Sequence, residues 1–144
     1  MKVFADSSFL YNAYCEDQSF SALARRLMDD FSVNSSVAVF LEFKLGALRE
    51  NKYAKGWAAL QKAVENQRVK EVGVDWEKLF SEFIPAVLQF GKKSQPYLID
   101  GLHVLAARQI GATHFFSFDH RSRQRAFARQ IGLKVLPERL PGEF

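Results

Sequence analysis

The chain has 144 residues, 20 lysines and arginines against 16 acidic residues, a net charge of +4 and a pI near 9.3. That length suits one hydrophobic core, so a single domain over residues 1–144 is expected, and the mild positive excess allows a polyanionic partner without identifying one. A lone cysteine, Cys15, excludes an intramolecular disulfide and a cysteine-based zinc site. The N-terminus turns polar at Asp6, too early for a secretory signal, and no apolar run reaches membrane-spanning length, so the expectation is a cytoplasmic protein with no membrane partner.

Taken in order, the apolar periodicities alternate between short strands and amphipathic helices, the pattern of a three-layer α/β/α sandwich around a central, mostly parallel sheet. Val3-Phe4-Ala5 reads as a short buried strand. Phe20, Leu23, Ala24, Leu27, Met28 and Phe31 follow one helix face. Val37-Ala38-Val39 looks like a brief extended stretch before a helix that buries Leu41, Leu45 and Leu48. Trp57, Leu60 and Val64 predict another helix, and Arg68 to Val74 a strand with Val72 and Val74 pointing inward. Asp75 has the chemistry of a helix N-cap ahead of Trp76, Leu79, Phe80, Phe83, Ile84, Val87 and Leu88 on one face, with Pro85 expected to kink that helix. A helix starts near Asp100 with Leu102, Leu105, Ala106 and Ile110 inside. Phe115 to Phe118 reads as a central strand, a basic helix follows Asp119, and Leu133 to Leu136 closes the pattern as a last strand.

Two of these strands run into aspartates, Asp6 and Asp119. Ligands of open parallel sheets bind beyond the carboxyl ends of the strands, so neighbouring strands would put both acids in one crevice. Asp100, at the start of the helix that returns to the second of these strands, and Glu42, early in its own helix, can reach the same edge. Four carboxylates in one pocket repel each other and call for a cation, and hard oxygen ligands suit Mg²⁺ or Mn²⁺. Singly, Asp6, Asp100 and Asp119 serve equally well as helix caps, and Glu42 as a solvated helix residue.

With those residues in view, the chain resembles the PIN-domain nucleases and, among them, the VapC-type toxins of toxin–antitoxin pairs. Val3 to Leu10 is similar to the family's strand, aspartate and Ser/Thr pair; Ser36 to Leu48 to its glutamate segment; Asp100 to Arg108 to its aspartate-led, alanine-rich helix. Phe116 to Asp119, with Gly132 to Leu136 beyond the basic helix, is similar to its closing motif. The resemblance implies a metal-dependent endoribonuclease that hydrolyses RNA by metal-activated water. Asp6, Glu42, Asp100 and Asp119 would hold Mg²⁺ or Mn²⁺ and carry the catalysis, while Ser8 and Ser117 would orient the carboxylates. It further implies an antitoxin partner and a homodimer, with the helix of Phe20 to Phe31 and the residues Phe9, Leu10 and Tyr11 as groove or interface, unless they are ordinary core. Two departures stand out: Ser117 replaces a frequent threonine, and Arg121 stands where many relatives carry a further acid.

Arg121, Arg125 and Arg129 are spaced four residues apart on one helix face, with Arg123 close by, and read either as RNA-phosphate contacts or as a solvated basic face. His103, one turn after Asp100, is a packing or hydrogen-bonded histidine or a contact to substrate or metal; His120 lies next to Asp119. The alternative function is a PIN domain without turnover that serves as an RNA-binding or protein-interaction module. A haloacid-dehalogenase-type phosphatase would need an aspartate where Ser8 stands, and a dinucleotide-binding protein a glycine-rich loop after the first strand.

Overall fold

A computed structural model of the chain describes residues 1–15, 18–93 and 95–143. Its elements, in order, are β1 (Val3–Ala5), α1 (Ser7–Tyr14), α2 (Ser21–Asp30), β2 (Val33–Ser35), α3 (Val37–Arg49) and α4 (Tyr53–Glu65). Then come β3 (Val69–Glu71), α5 (Trp76–Phe90), α6 (Leu98–Gln109), β4 (His114–Phe116), α7 (Gln124–Ile131) and β5 (Lys134–Leu136). The five strands form one sheet in the order β3-β2-β1-β4-β5, and every pairing is parallel. The expected α/β/α architecture is what the chain adopts.

The strand order fixes where a site can form. From β1 the chain works outward through β2 to β3, then crosses back to lay β4 and β5 on the other side. The direction of winding reverses between β1 and β4, and a crevice opens beyond the carboxyl ends of strands at such a point. These two strands are neighbours in register, with Ala5 opposite Phe116 and the Asp6 N–H donating to the Phe116 carbonyl at 3.0 Å.

Burial on both faces explains the sheet's composition. Val3, Phe4, Ala5, Phe115 and Phe116 are fully enclosed. Aromatic contacts continue from the sheet into the helices: Phe4 stacks on Phe115 with centroids 6.1 Å apart, and Phe118 sits between Phe9 at 5.5 Å and Phe20 at 4.8 Å. The phenylalanine-rich composition is therefore mostly core, as expected.

Several local expectations differ from the structure. Val37 to Val39 opens α3 instead of a strand; Ser36 caps the helix, its Oγ accepting from the Val39 N–H at 3.3 Å, and the strand lies earlier at Val33–Ser35. Leu41, Leu45 and Leu48 face outward, 58%, 48% and 55% exposed, because α3 carries two apolar faces and buries the one with Val39, Phe40, Phe43 and Ala47. In α5 the single predicted face divides in the same way. Leu79 and Ala86 go inward while Phe80, Ile84 and Leu88 stay exposed, and the helix continues through Pro85 as one element. The strand predicted over residues 68–74 ends at Glu71, with Val72 and Val74 half-buried beyond it. Among the described residues no helix is long and apolar enough to cross a membrane.

Candidate active site

Asp6 is the residue the fold holds most firmly. It follows β1 directly, caps α1, and is buried. Its Oδ1 accepts from the Phe9 N–H at 2.9 Å and the Ser8 hydroxyl at 2.7 Å; its Oδ2 accepts from the Ser117 hydroxyl at 2.6 Å. Ser117 is itself buried, one residue past β4, and its Oγ also receives the Asp119 N–H at 3.1 Å. Ser8 Oγ takes the Phe118 N–H at 3.0 Å. The two hydroxyls expected to orient the carboxylates thus tie the ends of β1 and β4 together through Asp6. Burial pushes the Asp6 carboxyl up to about 6, although the hydrogen bonds from Ser117, Ser8 and Phe9 pull the other way.

Asp100 lies in the first turn of α6, half-buried, and its carboxylate has no hydrogen-bond donor among the described residues. It too is pushed up to about 6, first by burial and then by the charges of Asp119, Glu42 and Asp6. The four sequence-predicted acids therefore share one electrostatic environment. Gly101 allows α6 to come this close to α5: a Cβ there would stand 2.6 Å from the Phe83 ring and 2.9 Å from Pro96.

Glu42 points into the same region from α3, and its Oε1 meets Nε2 of the buried His103. His103 is thus a hydrogen-bonded histidine attached to the site, while its Nδ1 is buried without a partner among the described residues. Asp119 is half-exposed and closes a local turn, Oδ1 accepting from the Arg121 N–H at 3.0 Å. A cleft of about 510 Å³ opens beside Ser8 and Glu42, between α1 and α3, with Tyr11, Asn12 and Arg49 on its walls.

Among the described residues, no three acidic, histidine or cysteine side chains are gathered tightly enough to hold a metal ion as they stand. The chemistry of the donor set nevertheless fits a hard divalent cation: oxygen ligands only, mutually repelling, with Asp100 undonated and Glu42 Oε2 free of hydrogen bonds among those residues.

The basic face of α7 needs correction. Arg125 is 1% exposed and bonded to Glu143, so it offers no charge to the surface, and Arg129 is paired with the same carboxylate. Their shared face turns toward the C-terminal segment because Glu143 lies against it. Arg121, Arg123 and His120 are exposed. Gln124 was not anticipated. It is fully buried, its Nε2 donates to the Asp100 carbonyl at 3.2 Å, and its Oε1 lies 3.2 Å from Ser117 Oγ. Nothing in a polar residue at the start of a basic helix distinguishes it from surface.

Compared with known families, the chain matches the model of the PIN domain over residues 3–128. Among solved structures it is similar to VapC20 of Mycobacterium tuberculosis, described as a Sarcin-Ricin loop cleaving toxin. That likeness has a TM-score of 0.68 at 19% identity, covering 93% of this chain and 98% of that one. A protein of Pyrobaculum aerophilum is similar at a TM-score of 0.58 and 13% identity, over 94% of this chain and 90% of its own. At such identities these likenesses speak for the fold. No curated protein matches the chain.

Proposed function

Because the chain belongs to the PIN domain family, we propose that it is a metal-dependent endoribonuclease, the toxin of a toxin–antitoxin pair, acting in the cytoplasm. The observation that carries this reading is Asp100: a half-buried carboxylate without a donor, pressed by three further acids at the one switch point of the sheet. A protein core gains nothing from such repulsion, whereas a cation site requires it. The likeness to a toxin described as cleaving the Sarcin-Ricin loop supports the toxin part of the reading.

Asp6, Glu42, Asp100 and Asp119 would hold Mg²⁺ or Mn²⁺, which when bound polarises a phosphoryl oxygen and lowers the pKa of water. Ser8 and Ser117 would keep the Asp6 carboxylate from turning, and His103 would hold one oxygen of Glu42. Arg121, exposed two residues beyond Asp119, would meet the RNA backbone. The exposed apolar stripes of α3 and α5 would serve the antitoxin and a second copy of the chain.

The test is cleavage of a mixed RNA pool by partner-free wild type and by Asp100→Asn, with Mg²⁺ or Mn²⁺ and with EDTA. Cleavage that needs metal and disappears in the variant is expected. A folded wild type that binds RNA and cuts none of it would move the reading to a binding module; cleavage that survives EDTA or Asp100→Asn would remove the acids from the chemistry.

A further inference from the structure

Among the described residues the largest fully buried side chain is an arginine. Arg125, in the first turn of α7, is 1% exposed, and every nitrogen of its guanidinium is used. Nε donates to Glu143 Oε2 at 2.7 Å, Nη2 to Glu143 Oε1 at 3.1 Å and to the Pro137 carbonyl, and Nη1 to the Ser117 carbonyl. Glu143 is gripped in turn by Arg129 and by the Leu140 N–H. Burial raises the Glu143 carboxyl, but the hydrogen bonds from Arg125 and Arg129 outweigh it and bring it down to about 2.

Ser117 is where this clasp meets the acidic site. Its carbonyl takes Arg125, its N–H donates to the Leu136 carbonyl at 3.2 Å, and its hydroxyl donates to Asp6. One residue is thus held by its main chain from the C-terminal side while its side chain holds the most buried acid. A core that needed only stability could fill the Arg125 position with an apolar side chain, since a buried ion pair is often no more stabilising than well-packed hydrophobes. What such a side chain would not supply is a donor to the Ser117 carbonyl. Glu143 also stands outside the span matched by the family model, which ends at residue 128.

We propose that Arg125 and Glu143 are positioning residues for the acidic site, so that the C-terminal segment from Pro137 to Glu143 holds Ser117, and through it Asp6, in place. The inference rests on the nuclease reading for its kinetic readout, though not for its structural one.

Breaking the pair singly would bury an unpaired charge, so the informative variant is the double change Arg125→Met with Glu143→Leu, which keeps an apolar fill. Glu138→Gln, on an exposed side chain of the same segment, accompanies it. In the double variant, kcat for RNA falls roughly 10- to 100-fold with KM little changed. Amide hydrogen exchange speeds up at Phe118 and Asp119 and stays as in wild type at Val33 and Val72, whose N–H groups bond across the far side of the sheet. Glu138→Gln matches wild type in both. A folded double variant with wild-type kcat and unchanged protection at Phe118 and Asp119 would overturn the proposal, as would protection lost equally across all five strands. If wild type itself cuts no RNA, the nuclease reading fails and the exchange pattern still decides the clasp.

Discussion

Asp6 and Glu42 both act on the Asp100 carboxylate but are held in different ways. Asp6 directly follows β1 at the centre of the sheet, with three donors on its two oxygens and both hydroxyl groups locked by further bonds. Glu42 rides on α3, one side of its carboxylate against His103 and the other without a hydrogen bond among the described residues. The β1–β4 side is organised before any ligand arrives; the α3 side is left adjustable. Among the described residues no ready-made metal cluster is present. Order is built where the sheet can supply it, from strand ends and hydroxyls.

The largest effect should follow from removing an acid. Asp100→Asn or Asp6→Asn is expected to lower RNA cleavage at least about 100-fold, since metal-assisted charge stabilisation contributes several kcal/mol. Steady-state kinetics with Mn²⁺ checks this, and near-wild-type rates would break the comparison at its root. The next effect belongs to the adjustable side. His103→Leu is expected to weaken Mn²⁺ binding by roughly 10- to 100-fold, with His103→Gln retaining more of it, as calorimetry would show. Equal binding by both variants would mean that Glu42 needs no orienting partner.

A third prediction concerns the cost of the rigid side. Asp6 has a carboxyl raised to about 6 in the folded protein against 3.8 in the unfolded chain, so the fold prefers it protonated. Its contribution is favourable below pH 3.8 and is lost as pH rises through 6. Asp6→Asn should therefore raise stability at pH 7 by about 1–3 kcal/mol, with the gain fading toward pH 4, measured by denaturant melts at both values. A destabilised variant at pH 7 would show that the hydrogen bonds of the ionised form outweigh its burial. The smallest effect is expected at Arg121→Ala. RNA affinity should fall modestly and uniformly across sequences, with the salt slope reduced by about 1, if that exposed arginine meets a single phosphate.

How much of this was legible in the sequence follows from the same physics. Buried parallel strands read as apolar runs, so Val3 to Ala5 and Phe115 to Phe116 announced the centre of the sheet, and the acids after them announced its functional edge. Periodicity could not choose between two apolar stripes on one helix. Leu41, Leu45 and Leu48 have the spacing of a core face, but the structure buries Phe40 and Phe43 instead. Charge misled in the opposite direction. Arg125 read as an RNA contact or a solvated residue because long charged side chains are rarely enclosed, and Gln124 drew no reading; the partners that enclose them, Glu143, Ser117 and Asp100, come from distant parts of the chain. Local pattern carries the acids because strand ends are local features; it does not carry the network that holds them.

The most direct test of the account is a calorimetric Mn²⁺ titration at pH 7.5 of the wild type beside Asp6→Asn, Glu42→Gln, Asp100→Asn and Asp119→Asn. The account predicts that the wild type binds and that each variant binds measurably more weakly, because all four carboxylates serve one cation site. A wild type that takes up no Mn²⁺, or four variants that bind as it does, would contradict it.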